Sequence, residues 1–279
     1  MTVHVAISGG NSAVLVSDSQ ASTSFSKRAG AQKQYCGDQF IIGAAGNGGI
    51  AGALFEHLST HHFGASGTNV LSDIAAFMAS QIAASARDSI ELVALLLSPE
   101  PSIHFLNPSV FTGFRPAGQL YATGSGAEFV DNAATCGVSG WMGRRANTLA
   151  QQVVQGVHFA DAADQSISCN DMLTIGFIAN GRAYFAVDPD FRPQYVHPLL
   201  EAQWNMLTQL SGEIIDQARA INSEMTVASE AFGHVWSGTL TMSELGLIGT
   251  QNAEIARQTS ELATRLGDYQ ASFDGVLGR

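Results

Sequence analysis

Lysine is rare in this chain of 279 residues, where it occurs only as Lys27 and Lys33. Charged residues together make up 13%, about half the share usual in globular proteins. The net charge is −11 and no Lys/Arg cluster stands out, which argues against nucleic acid as a partner, because phosphate binding requires a basic patch. A lysine in such a sequence is more informative than one of many surface charges.

Cysteine and long apolar runs are scarce as well. Cys36, Cys136 and Cys169 are odd in number and widely spaced, which favours buried thiols in a reducing compartment over a disulfide framework or a zinc site. The apolar start of the chain is broken by Gly-Gly-Asn at residues 9–11, and no run approaches the length of a membrane span. We therefore expect a cytoplasmic protein that contacts no membrane.

Two patterns that could indicate a cofactor site lack the further residues that such a site requires. Residues 46–49 read Gly-Asn-Gly-Gly, but no Gly-Lys-Ser/Thr follows, so the pattern of a phosphate-binding loop is incomplete. His61 and His62 are adjacent on a predicted helix and therefore point in different directions, and we expect no Cys or Asp partners near them. The sequence thus predicts neither a metal nor another cofactor.

Hydrophobic residues make up 46% of the chain, enough for a large core. Apolar runs between turn residues predict strands at residues 3–8, 13–17, 33–36, 39–45, 91–97, 102–106, 109–113, 119–123, 172–178 and 182–187. Apolar residues at helical spacing predict helices through Ile50, Leu54 and Leu58 and over residues 69–86, 127–136 and 144–163. This order predicts an α+β fold, a four-layer αββα sandwich with two mainly antiparallel sheets between helix layers.

The last third of the chain has a different pattern. After Arg192-Pro193, apolar residues recur every three or four positions without clear strand signals. We therefore divide the chain into a domain of residues 1–190 and a C-terminal helical extension of residues 191–279. The extension is expected to dock on its own domain or on a neighbouring subunit.

The N-terminus has a threonine directly before the first predicted strand. A threonine hydroxyl is a weak nucleophile without a neighbouring base, but an N-terminal threonine carries its own base in the α-amino group. Thr2 becomes N-terminal when Met1 is removed, and its small side chain suits that removal. The arrangement is the one that a threonine-nucleophile hydrolase needs.

Three residues further along the chain could support such a nucleophile. Asp18 ends the second predicted strand and Lys33 begins the third, so a lysine could lower the pKa of the hydroxyl and amine while a carboxylate holds it in place. Gly46 lies where a strand turns into a helix, and a backbone N–H near a helix N-terminus can bind an oxyanion.

These motifs resemble the proteasome β-subunit superfamily of N-terminal nucleophile hydrolases, and bacterial HslV in particular. The resemblance rests on Met-Thr at the start, on the motifs at residues 18–22 (Asp-Ser-Gln-Ala-Ser) and 45–48 (Ala-Gly-Asn-Gly), on Lys33, and on Gly-Ser-Gly at residues 124–126. It covers residues 2–190 and implies the N-terminal nucleophile hydrolase fold. A helical C-terminal extension is more similar to Anbu, another bacterial proteasome homologue.

The resemblance implies a role for each matched position. Thr2 would be the nucleophile, Asp18 and Lys33 the charge pair that tunes it, Gly46 the oxyanion donor, and Ser125 the serine near the threonine amine. A further Asp and Ser are assigned to Asp164 and Ser168, with Asp161, Ser166 and Asp171 as alternatives. Ala21, Ala31 and Ala44 would line a roomy substrate pocket.

The expected function is therefore threonine-type endopeptidase activity on polypeptide substrates. The resemblance implies a ring-forming homo-oligomer with enclosed sites and an ATP-dependent unfoldase as a possible partner. Two alternatives stay open: a catalytically silent structural or assembly protein, and an amidase for small molecules, since a fold does not determine its substrate.

Overall fold

The computed structural model describes residues 2–22, 27–28, 30–62, 67–81, 83, 89–97, 99–106, 113–135, 146–164, 172–196, 198–236 and 242–279. The strands within these ranges are β1 (His4–Gly9), β2 (Ser12–Asp18), β3 (Ala21–Ser22), β4 (Lys27–Arg28), β5 (Gln34–Cys36), β6 (Phe40–Gly46), β7 (Ile90–Leu97), β8 (Pro101–Leu106), β9 (Phe114–Pro116), β10 (Leu120–Thr123), β11 (Leu173–Ala179) and β12 (Arg182–Val187). The helices are α1 (Gly48–His61), α2 (Gly67–Gln81), α3 (Ala127–Thr135), α4 (Leu149–Asp164), α5 (Pro198–Ala202), α6 (Trp204–Trp236) and α7 (Met242–Val276).

Two five-stranded antiparallel sheets form the centre of this α+β fold. The first sheet has the order β10-β1-β2-β11-β12, and the second has the order β5-β6-β7-β8-β9. β3 and β4 form a separate two-stranded ribbon. The antiparallel pairing and the three predicted hairpins (β1–β2, β5–β6 and β11–β12) are confirmed. The strand expected at residues 109–113 falls almost entirely on residues outside the described part (107–112), and β9 follows it at Phe114–Pro116.

The β1–β2 hairpin shows how the sequence produces this geometry. Gly10 occupies the turn with φ +57°, a conformation that glycine adopts at little cost. In β1, Val5 and Ile7 face one side while Ala6 faces the other, because successive side chains of a strand alternate. Both sides are buried, which explains why the run reads as continuously apolar.

Three groups of buried residues give the layers. Ala6 and Leu15 of the first sheet pack with Ile41 and Val93 of the second, so the two sheets share an apolar interior. The outer side of the second sheet packs against α1 and α2, and that of the first sheet packs against α4 and α6. This arrangement is compatible with the predicted four-layer sandwich.

The C-terminal helices pack on the chain's own first sheet. α6 and α7 lie against each other, and Ile221 and Leu262 belong to the same buried cluster as Val14 and Phe177. The Tyr269 hydroxyl donates to the carbonyl oxygen of Phe185 in β12. Of the two docking modes expected for the extension, the structure therefore has docking on its own domain. In the part of the chain that the structure describes, none of the helices combines the length and the apolar character that crossing a membrane requires.

Candidate active site

Thr2 is held by the turn that connects β10 to α3. Its backbone N–H donates to Ser125 Oγ at 3.0 Å, and its carbonyl oxygen accepts the Gly126 N–H at 3.2 Å. The residue is 7% exposed and lies two positions before the start of β1, whose pairing with β10 fixes the direction of the chain. The position of Thr2 is therefore fixed by hydrogen bonds of both its backbone N–H and its carbonyl oxygen.

Gly124 makes this close approach possible. It has φ +89°, and a Cβ placed on it would lie 2.9 Å from the carbonyl carbon of Thr2 and closer still to the carbonyl oxygen. Real side chains do not tolerate such a contact, so a residue other than glycine would displace the Thr2 backbone. The first glycine of the Gly-Ser-Gly motif is required for steric reasons.

Asp18 and Lys33 form a buried ion pair next to Thr2. Asp18 ends β2 and Lys33 comes just before β5, and Lys33 Nζ lies 2.8 and 2.9 Å from the two carboxylate oxygens. The N–H groups of Val3 and Gln20 also donate to the Asp18 carboxylate, at 2.8 and 3.0 Å. The carboxylate thus orients the lysine and, through Val3, fixes the residue that follows Thr2.

Three buried polar side chains without charge, those of His4, Ser17 and Gln34, lie near this pair. His4 is completely buried, and burial lowers its pKa to about 3, with the positive charge of Lys33 acting in the same direction. His4 Nδ1 contacts Ser17 Oγ, which also accepts a hydrogen bond from Gln34 Nε2 at 2.7 Å. His4 is therefore uncharged at neutral pH and adds no charge to the Asp18–Lys33 pair.

Gly46 directs a backbone N–H towards the same region. In β6 the Ala44 N–H points away from β7 and donates to the Lys33 carbonyl oxygen at 2.9 Å. The Asn47 N–H points to the opposite side, where it donates to the carbonyl oxygen of Ser89, just before β7, at 2.8 Å. Because N–H directions alternate along a strand, the Gly46 N–H points to the side where Lys33 lies. Asn47 caps α1, so this N–H also lies at a helix N-terminus.

A cleft of about 370 Å³ opens next to these groups. Its lining residues share one end of the two sheets and are Thr2, Ala45, Gly46, Ser89, Glu91, Gly124 and Ser125. Three of the predicted site residues, Thr2, Gly46 and Ser125, therefore line one cavity, and the Asp18–Lys33 pair lies behind Thr2.

Glu91 is a member of the cleft that the sequence motifs did not reveal. Its exposed carboxylate accepts hydrogen bonds from the Thr123 hydroxyl and, at 3.1 Å, from the Gly124 N–H. The signal in the sequence is a single acidic residue at the start of an otherwise apolar strand, Ile90–Leu97. This carboxylate gives the cleft a negative wall.

The expected supporting Asp and Ser remain predictions. Asp164 ends α4 but its side chain, like Ser168 and the alternatives Ser166 and Asp171, lies outside the described residues. Asp161, the remaining alternative, accepts a hydrogen bond from Asn222 Nδ2 of α6 at 2.8 Å. The Asp161 carboxylate therefore contacts α6 of the C-terminal extension.

The predicted pocket alanines stay predictions. Ala44 is buried in the core between the second sheet and α1, and its neighbour Ala45 lines the cleft. Ala31 donates its N–H to the Ser19 carbonyl oxygen at 2.7 Å and is not among the described lining residues. Ala21 lies in β3, and its side chain is outside the part of the chain that the structure describes.

The expectation that no acidic partner lies near His61 and His62 is wrong. Asp73 of α2 contacts both His62 and His57, the latter one turn before His61 on α1. The sequence did not reveal this contact because it joins two helices.

No protein-family model matches the chain, and a comparison with curated proteins finds no match.

Proposed function

We propose that this chain is a threonine peptidase of the N-terminal nucleophile type, with the fold of the proteasome β-subunit superfamily. The observation that carries the proposal is the contact between Asp18 and both Lys33 and the Val3 N–H, which puts a buried charge pair directly behind Thr2. The cleft beside Thr2, with Gly46 among its lining residues, supports the proposal. Removal of Met1 would convert the Thr2 backbone N–H into the free amine that the reaction requires.

In the first half of the proposed reaction, Thr2 Oγ1 attacks the carbonyl carbon of the scissile bond while its proton passes to the Thr2 amine. The negative charge that develops on the carbonyl oxygen is stabilised by the Gly46 N–H. The ammonium group of Lys33 favours the ionised form of the threonine hydroxyl. The amine then returns the proton to the leaving nitrogen, which releases one product and leaves an ester on Thr2.

In the second half, water attacks the ester and the amine again accepts and returns the proton. The second product leaves and Thr2 regains its hydroxyl. Ser125 Oγ, 3.0 Å from the Thr2 nitrogen, is placed to orient the amine through both steps. Assembly into rings, and delivery of substrates by an ATP-driven unfoldase, belong to the same proposal.

The test is hydrolysis of fluorogenic peptides by the size-fractionated protein. We expect activity in a high-mass oligomer, a loss of about 10³-fold or more in Thr2→Ala, and retained activity in Thr2→Ser. The matched control is Thr250→Ala, an exposed threonine of α7 whose hydroxyl donates to the Gly246 carbonyl oxygen. Cleavage that persists in Thr2→Ala would contradict the proposal, and Thr2-dependent hydrolysis of small amides without peptide cleavage would favour an amidase.

A further inference from the structure

The ends of two helices bring together three metal-ligating groups far from Thr2. His57 Nε2 and His62 Nε2 each lie 2.7 Å from the same oxygen, Oδ2 of Asp73. His57 lies one turn before the end of α1, His62 is the C-cap of that helix, and Asp73 belongs to α2. The three ligand atoms all lie within 4.8 Å of one another.

The surroundings hold the imidazoles in this arrangement. The ring of His57 stacks on Phe77 of α2 with centroids 4.7 Å apart, and on its other side it stacks on His61, also at 4.7 Å. The side chains of His57 and His62 are 22% and 18% exposed, and that of Asp73 is 38% exposed. The site is therefore preformed and still open to ions from solution.

Two imidazole nitrogens and one carboxylate oxygen are a ligand set that suits Zn²⁺ and similar transition-metal ions. Mg²⁺ and Ca²⁺ prefer oxygen ligands, so a site with two nitrogens disfavours them. With metal–ligand distances of about 2.0–2.1 Å and tetrahedral angles, neighbouring ligand atoms lie about 3.3 Å apart. Each N···O separation would thus have to widen by about 0.6 Å. The two imidazole nitrogens, which lie within 4.8 Å of each other, would also have to be about 3.3 Å apart, and rotations of the three side chains can supply both changes.

We propose that His57, His62 and Asp73 bind one Zn²⁺ ion, which joins the end of α1 to α2. The ion would lie between the two Nε2 atoms and the shared carboxylate oxygen, and each imidazole would bind it through Nε2 while carrying its own proton on Nδ1. Three protein ligands leave one tetrahedral position for water. The site is independent of the proposed peptidase chemistry, since α1 has 14 residues and Gly46 lies beyond its other end, about 20 Å away.

The test is a calorimetric titration of the full chain, stripped of metal with a chelator, with ZnCl₂ alone. We expect one Zn²⁺ per chain. The melting temperature of the loaded protein should be higher, because an ion that binds only the folded state stabilises that state. His62→Gln and Asp73→Asn should each weaken Zn²⁺ binding by about 100-fold or more, since loss of groups that merely support a ligand already costs 10–100-fold. Circular dichroism checks that both variants remain folded.

The matched control is His61→Ala. His61 is exposed and adjacent to His62, but its Nδ1 faces the Thr60 hydroxyl and the His57 carbonyl oxygen, outside the ligand set. We expect its Zn²⁺ affinity to stay within a few-fold of the wild type, because the substitution removes a stacking contact with His57 and no ligand. Wild-type chain that binds no Zn²⁺, or folded His62→Gln and Asp73→Asn variants that bind as tightly as the wild type, would overturn the proposal. Peptide hydrolysis by Asp73→Asn should be unchanged, which keeps this test separate from that of the peptidase.

Discussion

The ammonium group of Lys33 lies 2.8 and 2.9 Å from the two carboxylate oxygens of Asp18, and both side chains are almost completely buried. A buried carboxylate that loses its cation is left uncompensated, which typically costs 3–5 kcal/mol. We therefore expect Lys33→Met to lower the free energy of unfolding by about 4 kcal/mol and to abolish peptide hydrolysis. Urea denaturation and the fluorogenic assay measure the two effects.

The matched control for this prediction is an exposed ion pair. Arg192 lies 3.1 Å from Glu201, with side chains 70% and 58% exposed. Arg192→Met should change the free energy of unfolding by less than about 1 kcal/mol and leave hydrolysis intact. Equal effects of the two substitutions would contradict the predicted role of the Asp18–Lys33 pair in stability and hydrolysis.

Gly124→Ala tests the close contact between this turn and Thr2. The new Cβ would overlap the Thr2 carbonyl group, so we expect the backbone of Thr2 to move and hydrolysis to fall by at least about 100-fold. Gly113 is the matched control, because it has a similar φ of +98° and no atom of the described residues lies within 4 Å of an added Cβ. Gly113→Ala should cost about 1–2 kcal/mol of strain and retain activity. Comparable activity in both variants would contradict the contact.

His4 predicts a pH dependence of stability. Its pKa is lowered to about 3 by burial, against about 6.5 in the unfolded chain, so the unfolded state takes up a proton that the folded state does not. The stability contributed by neutral His4 is complete above pH 6.5 and is lost as the pH falls towards 3. Between about pH 8 and pH 5 the loss should be about 2 kcal/mol. Urea denaturation of wild type and His4→Asn at both pH values measures it, and an equal pH dependence in the two proteins would contradict burial of a neutral His4.

Glu91 predicts a substrate preference, provided that the cleft is the peptidase site. Its carboxylate lines the cleft beside Thr2, so substrates with Lys or Arg next to the scissile bond should be preferred. Glu91→Gln keeps an oxygen acceptor for the Gly124 N–H but removes the charge. The ratio of kcat/KM for cationic over neutral peptides should then fall by about 5–10-fold, which is about 1 kcal/mol. An unchanged ratio would exclude Glu91 from substrate selection.

The C-terminal helices should contribute to the stability of the whole chain. Leu262 of α7 is completely buried in the cluster that includes the first sheet. Leu262→Ala should lower the free energy of unfolding by about 2–5 kcal/mol in a single transition. Met206→Ala, at a side chain that is 41% exposed, should cost less than about 1 kcal/mol. A separate, earlier transition in Leu262→Ala would instead show that the extension unfolds on its own.

The sequence predicted those parts of the fold that depend on neighbouring residues. The β1–β2 hairpin follows from Gly-Gly-Asn between apolar runs, and the positions of Asp18 and Lys33 follow from strand ends. The place of Ala45 in the cleft could not be predicted, because a difference of one residue along a strand moves a side chain to the opposite face of the sheet.

The features that the sequence did not reveal depend on contacts between distant elements. Glu91 lines the cleft because β7 pairs with β6 in a register that places it opposite Ala45. Asp73 lies against His57 and His62 because α2 packs beside α1. Neither relationship leaves a spacing signal, since the residues concerned are separated by loops whose geometry the local pattern does not determine.

The central claim, that Thr2 is an N-terminal nucleophile, is tested most directly by intact mass after incubation with a peptide epoxyketone. Epoxyketones react with both the hydroxyl and the free amine of an N-terminal threonine. We predict a mass that lacks methionine and gains one inhibitor, and no such gain in Thr2→Ala. A chain that keeps Met1 and gains no inhibitor would contradict the account.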